Sequence, residues 1–122
     1  MKIQESAENY LECILKLKET TPRVRSIDIV NELGFSKPSV SIAMKNLKEN
    51  GYITIADNGT IDLTEKGYHI ASKTYEKEKT FTKLLMSFGV SEEQAQIDAC
   101  RIEHIISEES FKAVKKYLGI DD

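Results

Sequence analysis

The 122-residue chain has no tryptophan, only two cysteines and two prolines, and no excess of positive charge. The missing tryptophan decides nothing. Two thiols cannot build the disulfide framework of a small secreted domain, so Cys13 and Cys100 are expected as reduced thiols, packed in a core or ligating a metal. No apolar run approaches the roughly 20 residues of a membrane span. The opening Met1-Lys2-Ile3-Gln4-Glu5 lacks the apolar core of a signal peptide, so a cytoplasmic protein with no membrane partner is expected. With 17 Lys and Arg against 20 Asp and Glu, the net charge is −3. That excludes a protein that coats nucleic acid, but not a sequence-specific binder, for which local charge decides. There is also no His-Glu-x-x-His, no phosphate loop and no nucleophile elbow, so neither a hydrolase nor a small organic substrate is expected.

What is present is a clear order of elements. Tyr10, Leu11, Ile14, Leu15 and Leu17 recur at helical spacing over residues 4 to 19, and Pro22 stops the run. Arg23-Val24-Arg25 is an extended link. Ser26 is expected to cap a short helix with Ile27, Ile29, Val30 and Leu33 facing inward, ended by Gly34. Ser36 is the next N-cap, with Pro38 in the first turn of a helix that buries Val40, Ala43, Met44 and Leu47. Tyr52–Ile55 and Thr60–Leu63 read as strands joined by the turn Asp57-Asn58-Gly59.

Thr64 opens a long helix to about Phe88, with Phe81, Leu84, Leu85 and Phe88 as its apolar ridge. Ser91-Glu92-Glu93-Gln94 is a capping box for a fifth helix to about Ile106. Ser107 opens the last helix, which carries Phe111, Val114 and Leu118 and stops at Gly119. The expected fold is mainly α with a small two-stranded β-wing. A winged helix-turn-helix domain, residues 1–63, precedes a helical domain, residues 64–122.

The start of a helix that enters the major groove needs small and polar side chains, so that base edges and phosphates can approach. Ser36, Lys37, Pro38, Ser39 and Ser41 supply them. Lys45 lies one turn further, within reach of a phosphate, and Arg23 and Arg25 are phosphate-clamp candidates. Lys48 adds to the same basic stretch. Duplex DNA is therefore the expected partner. No aromatic-rich basic strand points to RNA or single strands.

The fifth helix carries a second constellation. Gln96, Cys100, Glu103 and His104 fall on one face, with Ala99, Ile102, Ile105 and Ile106 on the inward one. A thiol, a carboxylate and an imidazole at i, i+3 and i+4 converge on one cation in the way divalent transition-metal sites require. Asn9 and Glu12 share a face of the first helix, and Cys13 reads as core. Glu78 lies one turn before Phe81, where a carboxylate is costly unless paired or ligating. His69 reads as a surface or packing residue.

These residues resemble a known family. Asp98-Ala99-Cys100-Arg101-Ile102-Glu103-His104, followed by Ile105-Ile106-Ser107, looks like the metal-binding helix of the diphtheria toxin repressor and manganese transport regulator family. Ala7-Glu8-Asn9-Tyr10-Leu11-Glu12 resembles that family's first helix, and Ser36-Lys37-Pro38-Ser39-Val40-Ser41 its recognition helix. Leu63-Thr64-Glu65-Lys66-Gly67 is similar to its wing-to-helix junction.

The resemblance implies a homodimeric repressor of metal-uptake genes that binds a DNA operator when a divalent metal activates it. The implied ligands are Asn9, Glu12, Glu78, Cys100, Glu103 and His104. Glu12 matches the manganese branch, and Cys100 with Glu103-His104 the iron branch. Asn9 stands where the family has an aspartate or a methionine, and Glu78 where it has a histidine. Oxygen donors suit Mn(II) or Fe(II), while Cys100 tilts the set toward Fe(II), Co(II) or Zn(II). The chain stops short of the iron branch's SH3-like third domain, which is the plan expected of the shorter manganese-type regulators. A winged-helix regulator that has lost metal control is the alternative these two substitutions leave open.

Overall fold

The computed structural model describes residues 5–120, with side chains from Ser6 onward. Residue 4, expected to begin the first helix, and the opening segment Met1–Gln4 lie outside the described residues. Within these limits there are six helices and one two-stranded antiparallel sheet. They are α1 (Glu5–Thr20), α2 (Ser26–Leu33), α3 (Lys37–Glu49), β1 (Ile53–Ile55), β2 (Ile61–Leu63), α4 (Glu65–Ser87), α5 (Glu92–Ile102) and α6 (Glu108–Leu118). This is the expected mainly α fold with a β-wing. The chain forms two compact units, Met1–Ser72 and Lys73–Asp122, so the division falls inside α4.

The first unit is built around α1. Leu11 and Ile14 are fully buried with Ile29 of α2, Val40 and Met44 of α3, and Ile53 and Ile61 of the wing. Helices α2 and α3 are separated by Gly34-Phe35-Ser36, and Gly34 takes the left-handed conformation (φ 72°) that ends α2. Ser36 caps α3, its Oγ accepting from the Ser39 N–H at 3.3 Å, with Pro38 in the first turn where no donor is lost.

The wing pairs Ile53 with Leu63 and Ile55 with Ile61. Its tip is closed by the Gly59 N–H on the Ala56 carbonyl at 2.8 Å and by the Thr60 N–H on Asn58 Oδ1 at 3.0 Å. Thr64 ties wing to helix: its hydroxyl donates to the Gly51 carbonyl at 2.7 Å and accepts from the Gly67 N–H at 3.1 Å.

The second unit has its own core, in which Phe81, Ala99 and Phe111 are buried and Leu84, Ile102, Ile106 and Val114 pack around them. Ser91 and Ser107 cap α5 and α6 through the N–H groups of Gln94 and Ser110. Lys115 is 4% exposed, and it donates to Glu76 at 3.2 Å while lying over the Phe111 ring.

Several expectations need correction. Ser26 is the first helical residue rather than the cap of α2; the cap is Arg25, whose N–H donates to Asp28 Oδ2 at 2.8 Å. Only half of the expected Ser91 capping box forms, because the Gln94 amide turns to Asp98. Three residues expected to face inward are exposed, namely Ile27 (44%), Phe88 (66%) and Ile105 (80%). Helix α5 ends at Ile102, four residues early, and Glu103 is its C-cap. Ile105 is thereby freed from the helical face that periodicity assigned to it.

Candidate functional site

The second unit gathers four of the six expected metal ligands. Helix α5 presents Cys100 in its last turn, and the turn that follows carries Glu103 and His104. Helical hydrogen bonding persists into that turn, with the Glu103 N–H on the Ala99 carbonyl at 3.0 Å. Cys100 therefore stays in register with the two residues after it. One donor atom each from Cys100, Glu103 and His104 lies within 4.8 Å of the others. Donor atoms of Glu78, Cys100 and Glu103 meet the same limit. Cys100 and Glu103 thus belong to both triads, and Glu78 joins from α4.

The donor chemistry fits a divalent cation. Ligands bonded at about 2.0–2.3 Å to one ion stand roughly 3–4.5 Å apart, so small side-chain adjustments close either triad. Burial strengthens the fit. The side chains of Glu103 and His104 are 0% and 2% exposed, with His104 Nε2 3.2 Å from Glu103 Oε1. A carboxylate held that far from water carries a large desolvation cost, which an imidazole offsets in part and a dication offsets well. Periodicity missed this burial because it placed Glu103 on a polar stripe, and polar stripes usually face water.

In the first unit, Asn9 and Glu12 sit one turn apart on α1. Asn9 is half-buried and Glu12 buried, with Lys16 Nζ 3.9 Å from its Oε1. Cys13 is core, as expected at 5% exposure, and burial, helped by the nearby carboxylates of Glu32 and Glu12, pushes its thiol up to about 12. His69 is exposed.

The DNA-reading residues expected from sequence all lie in the first unit, and all are exposed: Arg23, Arg25, Ser36, Lys37, Pro38, Ser39, Ser41 and Lys45. Lys37 and Ser41 line a shallow depression with Ser26, Ile27 and Val30. Ser36 and Ser39 also bond to each other through their hydroxyls at 2.8 Å. Sequence reading passed over one residue of this surface, Ile42, which is 63% exposed on α3. The signal was available, since position 42 falls opposite the apolar stripe.

Comparison with known proteins agrees with both halves. Residues 2–60 match the family model described as "Iron dependent repressor, N-terminal DNA binding domain". Residues 64–120 match "Iron dependent repressor, metal binding and dimerisation domain". An uncharacterized HTH-type transcriptional regulator of Methanocaldococcus jannaschii is 32% identical over 95% of this chain and 94% of its own length. The transcriptional regulator MntR of Escherichia coli O6:H1 is 31% identical, with 93% of this chain and 74% of MntR covered. The crystal structure of the metal-dependent transcriptional regulator MtsR superimposes with a TM-score of 0.84 at 25% identity. That match covers 95% of this chain but only 54% of MtsR, so the chain spans about half of this structural relative. The chain belongs to the iron-dependent repressor family, and is thereby a DNA-binding transcriptional regulator that responds to a divalent metal.

Proposed function

We propose that this regulator represses metal-uptake genes, and that Cys100, Glu103, His104 and Glu78 hold the activating ion. The observation that carries this reading is the pair of donor triads sharing Cys100 and a Glu103 that is fully withdrawn from water. The carboxylate-rich set favours Mn(II) or Fe(II), and the thiol extends the range to Co(II) and Zn(II). Asn9 and Glu12 are the further donors that α1 offers to the same chemistry.

In a homodimer, a bound cation would act by setting the spacing of the two recognition helices. They have to enter major grooves about 34 Å apart or a multiple of it. Metal and operator affinities would then raise each other reciprocally, typically by 5- to 150-fold. Met86, Phe88, Ile97, Ile105 and Tyr117 are large apolar side chains exposed on the second unit. Pairing of two copies would cover some of them. Among the described residues no helix is long and apolar enough to cross a membrane.

The test is calorimetric titration with Mn(II), Fe(II) and Zn(II), followed by gel shifts on an upstream promoter fragment with and without each metal. Saturable binding that strengthens the shift supports the reading. No saturable binding, with operator affinity unchanged by metal, would overturn the assignment of the ion to Cys100, Glu103, His104 and Glu78.

A further inference from the structure

A lone exposed isoleucine is ordinary on a protein surface. Ile42 is distinguished by where it stands. At about 100° per residue, it lies between roughly 140° and 160° around α3 from Val40, Met44 and Leu47, which anchor the helix in the core. It is therefore the apolar residue at the centre of the outward face. Helix α3 begins at Lys37, so Ile42 is about 7.5 Å along the axis from its start, in the segment that helix-turn-helix proteins insert into the groove.

Its surroundings identify the occupant. Pro38 and Asn46, both exposed, adjoin Ile42 one turn to either side, and one flank carries Ser41, Lys45 and, further round, Lys48, also exposed, a cationic edge suited to a phosphate backbone. Ser39 stands on the other flank. Small side chains on both sides leave room for base edges to approach. Glu49, the acid on this face, is about 10 Å further along at the far end of the helix. An isoleucine can neither donate nor accept a hydrogen bond. The apolar group that a major groove offers to it is the C5-methyl of thymine.

We propose that Ile42 reads thymine methyls in the operator and is a specificity-determining residue of this regulator. The inference rests on the DNA-binding function and deepens it. Each half-site should contain at least one thymine whose methyl packs on Ile42. Removing one buried methyl costs about fourfold in affinity.

The experiment begins with duplexes selected from a random pool by the full chain, with and without Mn(II). Each thymine of the selected site is then replaced singly by deoxyuridine, which removes only the methyl. Affinities are measured for the wild type and for Ile42→Ala, whose fold is verified by circular dichroism. The expected result is a thymine in each half-site where uracil weakens the wild type about fourfold and leaves Ile42→Ala unmoved. Equal uracil costs in both proteins at every position would overturn the assignment while leaving operator binding intact. If the wild type selects no sequence with or without metal, operator recognition itself fails, and this inference falls with it.

Discussion

His104 Nε2 approaches Glu103 Oε1 to 3.2 Å while both side chains are closed off from solvent. Two adjacent residues rarely meet so deep in a protein without a reason, because an ionised carboxylate there forfeits its hydration. The cation proposed above would supply that reason, and removal of a donor such as Glu103 or Cys100 would then cost more than a hydrogen bond. Glu103→Gln and Cys100→Ser are each expected to weaken Mn(II) binding by roughly tenfold or more, by analogy with even the outer-shell losses of metal sites. Calorimetry checks this directly. Metal at about 100 times its dissociation constant should add about 2.7 kcal/mol to the stability of the wild type, an increment that a chelator removes and Glu103→Gln largely lacks. Equal stabilisation of wild type and variant would move the site elsewhere.

The junction between wing and α4 makes a second, purely structural prediction. A Cβ added at Gly67 would stand 2.0 Å from the Tyr52 carbonyl oxygen. That oxygen is fixed, because it accepts from the Thr64 N–H at 3.1 Å and belongs to backbone rather than to a pliable side chain. Gly67→Ala must therefore push β1 and α4 apart. The expected loss is about 3 kcal/mol, the upper end for overpacked sites, measured by urea unfolding. An unchanged midpoint would mean that the junction yields more readily than its hydrogen bonds suggest.

The two thiols should part company chemically. Burial lifts the Cys13 thiol from 9.0 to about 12, whereas Cys100 is half-buried and stands among the proposed ligands. Iodoacetamide at pH 8 is expected to label Cys100 in the metal-free protein and spare Cys13, with Mn(II) protecting Cys100. A raised thiol also fixes a sign for stability. The native state holds the proton more tightly than the unfolded chain, so the contribution of Cys13 is complete below pH 9 and fades as pH climbs toward 12. Cys13→Ser should flatten that alkaline decline. Labelling of Cys13 at the rate of Cys100 would contradict the burial argument.

These contrasts show which parts of the molecule sequence alone discloses. Ser36, Ser91 and Ser107 were legible as caps, and Asp57-Asn58-Gly59 as a turn, because each acts through its own neighbouring N–H groups. Arg25 was less legible, since its cap uses Asp28 and shifts the start of α2 by one residue from the obvious serine. Ile27, Phe88 and Ile105 were misplaced for another reason: periodicity marks an apolar position without saying whether the chain's own core covers it. That Cys100, Glu103 and His104 bring their donor atoms together could be read from spacing. The withdrawal of Glu103 from water could not, because that depends on Glu103 following the last residue of α5.

Lys45 and Ile42 sit on the same recognition helix, and their variants should fail in different ways. The Lys45 ammonium is exposed one turn beyond Ser41, and its proposed partner is a phosphate rather than a base. Each phosphate contact releases condensed counterions, so Lys45→Ala should reduce the slope of log affinity against log salt by about 1 per protomer, or about 2 for a dimer. The loss should be nearly uniform across operator and unrelated duplexes, leaving the specificity ratio close to that of the wild type. Ile42→Ala carries no charge change, so it should keep the full salt slope and lose discrimination instead. Fluorescence anisotropy between about 50 and 200 mM salt, on selected and scrambled duplexes, separates the two effects. A Lys45→Ala variant with an unchanged slope would place that side chain off the backbone and require a different docking of α3.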